Sequence, residues 1–173
     1  MAACTSSGAE EPGGLPTPDP TSTLTAKQCA NQALFEIAVE DLSPDEFLDR
    51  VHEDDVETAR GIFYPDDHPR ADEYVPWEEW ELEQQRAWGV FLTAPDSGWD
   101  DLLRTLHERL VQEMSPDEFL ARLTESERET VQNLVYPADH PRAGEFVPAT
   151  DSGVVPAWDN YLFIRPAGEG CPW

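Results

Sequence analysis

From Thr25 onward the polar start of the chain gives way to Ala30, Ala33, Leu34, Ile37, Ala38, Val39 and Leu42. Their spacing of three and four builds one apolar face and predicts a first helix. Ser43-Pro44-Asp45-Glu46 then supplies a complete helix start. It has a serine cap, proline at the first helical position, and acids beside the positive end of the dipole. Phe47, Leu48 and Val51 are the buried side of that second helix. A third, over about 53–63, would bury Val56, Ala59, Ile62 and Phe63, and it must stop at Tyr64 because Pro65 follows. Trp77 to Arg86 reads as a short helix. The apolar runs Trp88–Leu92 and Tyr161–Ile164 read as strands.

The pattern then repeats. Trp99 to Met114 matches the first helix, Ser115-Pro116-Asp117-Glu118-Phe119-Leu120 copies the capped start, and Thr124 with Glu127 makes a capping box for the next helix. Between 43–76 and 115–148, 20 of 34 positions are identical, more than shared secondary structure imposes. The most similar stretch is Tyr64-Pro65-Asp66-Asp67-His68-Pro69-Arg70, continuing to Pro76, and its copy from Tyr136 to Pro148. Each copy has three X-Pro steps, which remove backbone donors and exclude helix, so both read as stiff, irregular loops.

These elements predict an α+β fold, mainly helical. It is a tandem duplication of a unit with three helices, a stiff loop and one strand, and the two units share one core about a pseudo-twofold axis. The expected organisation is a disordered tether over 1–24, a first unit over 25–96 and a second over 97–173. Units of about 70 residues lie near the lower size limit for an independent core, and the short Pro95–Gly98 connection favours one globule.

Charge narrows the functional classes. Thirty-six acids face eleven bases, a formal net charge of −25, so direct nucleic-acid binding and adsorption to an anionic membrane are disfavoured. The first unit is the more acidic, with 18 acids and 5 bases over 25–95 against 13 and 6 over 97–168. A basic or cationic partner, protein or small ligand, is the expectation that follows.

Three cysteines stand at Cys4, Cys29 and Cys171. Cys29 opens the first helix and Cys171 follows a Pro-Ala-Gly-Glu-Gly spacer, so a Cys29–Cys171 disulfide would tie a tail with no core pattern of its own to that helix. Met1-Ala2-Ala3-Cys4 with the polar run after it resembles the end of a bacterial lipoprotein signal peptide, where small residues precede a cysteine that becomes lipidated. The apolar segment of such a signal is missing from the sequence. The resemblance covers four residues and implies lipidation at Cys4, an extracytoplasmic address and membrane attachment only through the lipid anchor. Residues 5–24, rich in Pro, Gly, Ser and Thr, fit a tether.

Candidate chemistry is sparse. In the repeated loops Asp67, His68, Arg70 and Glu73 return as Asp139, His140, Arg142 and Glu145. Their spacing matches no metal motif, so the expectation is no metal and no cofactor, with the arginines holding the loop's own carboxylates or serving binding. No Gly-rich phosphate loop, Gly-x-Ser-x-Gly elbow or His-Glu-x-x-His helix occurs, and no catalytic residue is assigned. Where the first copy has Trp77-Glu78-Glu79-Trp80-Glu81, the second has Ala149-Thr150-Asp151-Ser152-Gly153. This asymmetry makes Trp77, Glu78, Glu79, Trp80 and Glu81 the candidate ligand site, since indole faces and carboxylates both favour positive charge. The leading expectation is an exported, lipid-tethered, non-enzymatic binding domain. The alternative is a cytosolic acidic protein that mimics nucleic acid or blocks a basic partner.

Overall fold

The computed structural model describes residues 24–163 and 171–173. The described residues form eight α-helices, with short 3-10 turns between some of them: α1 Ala26–Asp41, α2 Pro44–Asp49, α3 Val56–Ala59, α4 Leu82–Thr93, α5 Trp99–Glu113, α6 Pro116–Ala121, α7 Glu125–Thr130 and α8 Val154–Phe163. Of the expected tether over 1–24, residues 1–23, including Cys4, lie outside the described residues.

Local chemistry explains where the helices begin. Ser43 accepts from the Glu46 amide while the Glu46 carboxylate takes the Ser43 N–H at 2.9 Å; Ser115 and Glu118 repeat the arrangement. Thr25 with Gln28 and Thr124 with Glu127 close two more boxes. Each satisfies two of the donors that a helix start leaves open. Gly98, at φ 74°, starts α5 in the left-handed region that a side chain disfavours. A Cβ there would also stand 2.8 Å from Arg50 Nη1.

α1 is the centre of the molecule. Cys29, Ala30, Ala33, Leu34, Ile37 and Ala38 are all buried, and α5 and α8 pack on it. Phe47 from α2 stacks on Phe91 of α4 at 4.2 Å, and Phe119 from α6 lies 6.3 Å from Trp158 of α8. Buried residues of both halves join in one hydrophobic core. Cys29 and Cys171 form a disulfide, with Cα atoms 5.1 Å apart. Beside it Trp173, almost fully buried, packs on Trp158 at 5.8 Å.

The fold is mainly helical, and among the described residues neither expected strand forms. Trp88–Leu92 lies inside α4 and Tyr161–Phe163 ends α8. A short apolar run has no period of its own; the wider window decides it, for Ala87, Trp88 and Phe91 are buried at helical spacing while Gly89 is exposed. In α8, Pro156 falls in the first turn, where its missing N–H costs no helical bond. Among the described residues β structure amounts to isolated bridges, and those between Phe63 and Tyr74 and between Val135 and Phe146 close the necks of the two repeated loops. The expected single helix over 53–63 is instead a 3-10 turn, the four-residue α3 and a second 3-10 turn.

Candidate functional site: two clefts beside one turn

The repeated loops are built alike. In the first, the Tyr64 N–H donates to Glu73 O at 2.9 Å and the Val75 N–H to Ile62 O at 2.9 Å; in the second, Tyr136 to Glu145 and Val147 to Leu134 show the same distances. His68 stacks on Tyr64 at 4.2 Å and its Nδ1 accepts from the Arg70 N–H at 3.1 Å. Arg70 pairs with Glu73 at 2.7 Å and lies 4.7 Å from the Tyr64 ring centre. His140 on Tyr136 at 4.1 Å, Arg142 with Glu145 at 2.7 Å and Arg142 over Tyr136 at 4.9 Å reproduce this. These contacts hold the arginines in the loops' own frames, and each carboxylate partner keeps its guanidinium above the usual pKa. Asp67 and Asp139 are exposed.

One difference between the copies lies beside the candidate turn. The Tyr64 hydroxyl donates to Glu79 at 2.7 Å, which raises its pKa. Position 79 corresponds to Asp151, whose carboxylate instead takes the Gly153 N–H at 3.0 Å.

Trp77–Glu79 forms a 3-10 turn, and Trp80 is extended. The Trp80 indole N–H donates to Val75 O at 2.9 Å, and its ring meets Phe35 of α1 at 4.6 Å and Trp77 at 4.3 Å. Both indoles are half-buried against the core. The turn does not gather the five predicted residues into one site. Trp77, Glu78 and Trp80 line a cleft on one side, while Glu79 and Glu81 line another.

The second, acidic cleft has a volume of about 910 Å³ between the first repeated loop and the start of α4. Glu57, Asp66, Asp67, Asp72, Glu79, Glu81 and Glu83 line it, with Arg60 the one base among its lining residues. Among the described residues no three carboxylate, imidazole or thiolate groups come close enough to hold a single metal ion.

The first cleft, about 700 Å³, is aromatic. Trp77, Trp80 and Trp88 meet Trp99 from α5 and Leu162 and Phe163 from α8. Lys27, Gln28, Asn31 and Gln32 of α1 line it too, and their spacing i, i+1, i+4, i+5 makes one polar stripe on a helix whose other side is buried. Asn31 Nδ2 donates to Lys27 O at 3.1 Å, and Gln32 Nε2 to Glu36 at 2.9 Å. Burial raises the pKa of Glu36, partly offset by that bond. Gly89, in the interior of α4, also lines this cleft, and a Cβ built on it meets no described atom within 4 Å. A glycine there costs about 1 kcal/mol of helix stability relative to alanine, and no crowding among the described residues demands it.

Sequence reasoning found Trp77 and Trp80 but not Trp88, Trp99 or the amides of α1. The available signal was the polar stripe at 27, 28, 31 and 32 within a helix whose other faces are apolar. Compared with family models, curated proteins and solved structures, the chain matches none.

Proposed function

We propose that this protein is a non-enzymatic, acidic binding domain, exported and held at a membrane by a lipid on Cys4, and that its ligand is a basic peptide segment. The observation that carries the ligand class is the acidic cleft, lined by seven carboxylates and a single base, in a chain of net charge −25. Their dispersal favours a ligand that spreads several charges over one that concentrates them in an ion. Export is supported by the small residues before Cys4 and by the Cys29–Cys171 bond, which persists in oxidising compartments. Matching bonds in the two loops and the 20 identities support descent of both halves from one duplicated unit, related by a pseudo-twofold axis.

Hexalysine titrated calorimetrically at low and raised salt tests the ligand. Binding should be salt-sensitive, and E79Q/E81Q/E83Q should weaken it about tenfold or more at low salt. The control D117N/E125Q/E129Q removes the same charge from exposed positions in the other half and should change affinity much less. Equal losses in both variants would reduce the effect to net charge and sink the site. Labelling of the natural, full-length protein with radioactive palmitate in a bacterial host, lost in C4S, tests the anchor. An unlabelled wild type would remove it.

A further inference from the structure

The aromatic cleft differs from the acidic one in its balance. Among its lining residues the charges are Lys27 and Glu78, one of each sign, and the rest of its polar wall consists of amides and the Thr93 hydroxyl. A cation gains no excess of carboxylate there and meets Lys27, while an anion is opposed by the field of the whole chain. A purely apolar occupant would cover the α1 amides without bonding them, and buried unpaired amides are costly. What fits both walls is an uncharged ligand with one apolar face and a hydroxyl-bearing edge.

We propose that this cleft binds a saccharide, its pyranose C–H face against Trp77 and Trp80 and its hydroxyls on Asn31 and Gln32. Three observations meet here. The volume lies within the range of small-ligand sites, about 300–1,000 Å³, and the lining is mostly apolar with a few placed polar groups, as such sites are built. Asn31 and Gln32 each use their amide nitrogen on the helix itself, which orients the amide planes and leaves Oδ1 and Oε1 without a partner among the described residues. Gly89 leaves the wall of α4 open where an alanine would suit the helix better; an occupant gives that opening a reason. Planar, pre-oriented amides and rigid indoles recognise a sugar with little side-chain ordering. The site stands apart from the acidic cleft, so each can fail without the other.

The test uses the full chain with cellotetraose, tetra-N-acetylchitotetraose and maltotetraose, followed by tryptophan fluorescence and calorimetry. At least one should bind saturably at up to millimolar concentration, with a shift in indole emission. Gly89→Leu, which places a side chain into open space, should abolish binding while the melting temperature stays level or rises, and hexalysine binding should be unchanged. If that variant fails to fold, N31A/Q32A serves instead; its side chains are half-exposed on α1, and it should weaken binding about tenfold with the fold intact. The proposal is overturned if none of the three sugars binds, or if the variant that folds binds sugar as tightly as the wild type. It is equally overturned if tetramethylammonium or decanoate occupies the cleft and the sugars do not.

Discussion

Replacing Cys29 and Cys171 together by alanine should cost at least as much stability as losing a large core side chain. The bond joins residues 142 positions apart. In the chain-entropy treatment, closing a loop of that length removes about 17 cal/mol/K from the denatured ensemble, or about 5 kcal/mol at 25 °C. For a protein of this size that loss corresponds to a fall in melting temperature of about 10–20 °C. Cys29 is fully buried on α1 and alanine suits a helix, so the native packing there changes little. Urea titration of the oxidised wild type and the double variant, followed by tryptophan fluorescence, measures the difference. Because the constraint acts on the denatured chain, the variant should also show a larger m-value, as its unfolded state expands. W173A in the oxidised protein separates loop closure from the docking of the last residue, since it removes the contact with Trp158 and keeps the bond. A double variant that melts within about 2 °C of the wild type, a shift worth no more than about 1 kcal/mol, would refute the reasoning. So would an unchanged m-value with the whole loss reproduced by W173A.

Ser43→Ala and Ser115→Ala should each cost about 1 kcal/mol at neutral pH. Separately, hydrogen bonds from the hydroxyl and backbone N–H of each serine hold Glu46 and Glu118 below the ordinary carboxylate pKa, so each glutamate's own share of its box is present above pH 4.5 and is lost as pH falls through the lowered pKa; denaturation of the wild type at pH 7 and pH 3 checks the sign. His107, buried with Nε2 2.7 Å from Val147 O, has its pKa lowered by burial, so the native state resists a proton that the unfolded chain accepts. Its contribution is full above pH 6.5 and declines as pH falls below that value. H107L should flatten the difference in stability between pH 7.5 and 5.5, and an unaltered slope would show that another group is responsible. Phe47→Ala and Phe119→Ala, one in each half, should each cost about 3–5 kcal/mol. Each should lower hydrogen-exchange protection in both halves, whereas protection lost only in the mutated half would mean two separately folding units.

How much of this was legible in the sequence depended on how locally each feature is determined. Ser43-Pro44 and Thr124 with Glu127 are chemistry within one turn, and the helices start where those residues place them. The prolines around Tyr64 and Tyr136 dictate irregular backbone just as locally. Trp88–Leu92 went wrong because five apolar residues satisfy either period, and Ala87 and Gly89 resolve the choice only when burial is known. The aromatic cleft was beyond reach for another reason. Trp77 and Trp99 are separated by a helix and a turn in sequence, and the α1 stripe and Phe163 are farther still, so only packing brings them to one cleft. The separation of Glu79 and Glu81 from their tryptophan neighbours has the same origin, since the 3-10 turn and the extended Trp80 after it place Glu79 and Glu81 on the other cleft from Trp77 and Trp80.

The near-identity of the two loop frames gives the molecule a matched pair of reporters. His68 and His140 sit on equivalent tyrosines, at ring separations of 4.2 and 4.1 Å and interplanar angles of 8° and 4°, and both accept from an arginine amide at 3.1 Å. Only the first tyrosine is wired to Glu79 and borders the acidic cleft. In a proton NMR spectrum the imidazole signals of the two histidines should therefore drift together with temperature and salt. An occupant of the acidic cleft should move the His68 signal alone, and His140 then serves as a reference inside the same molecule.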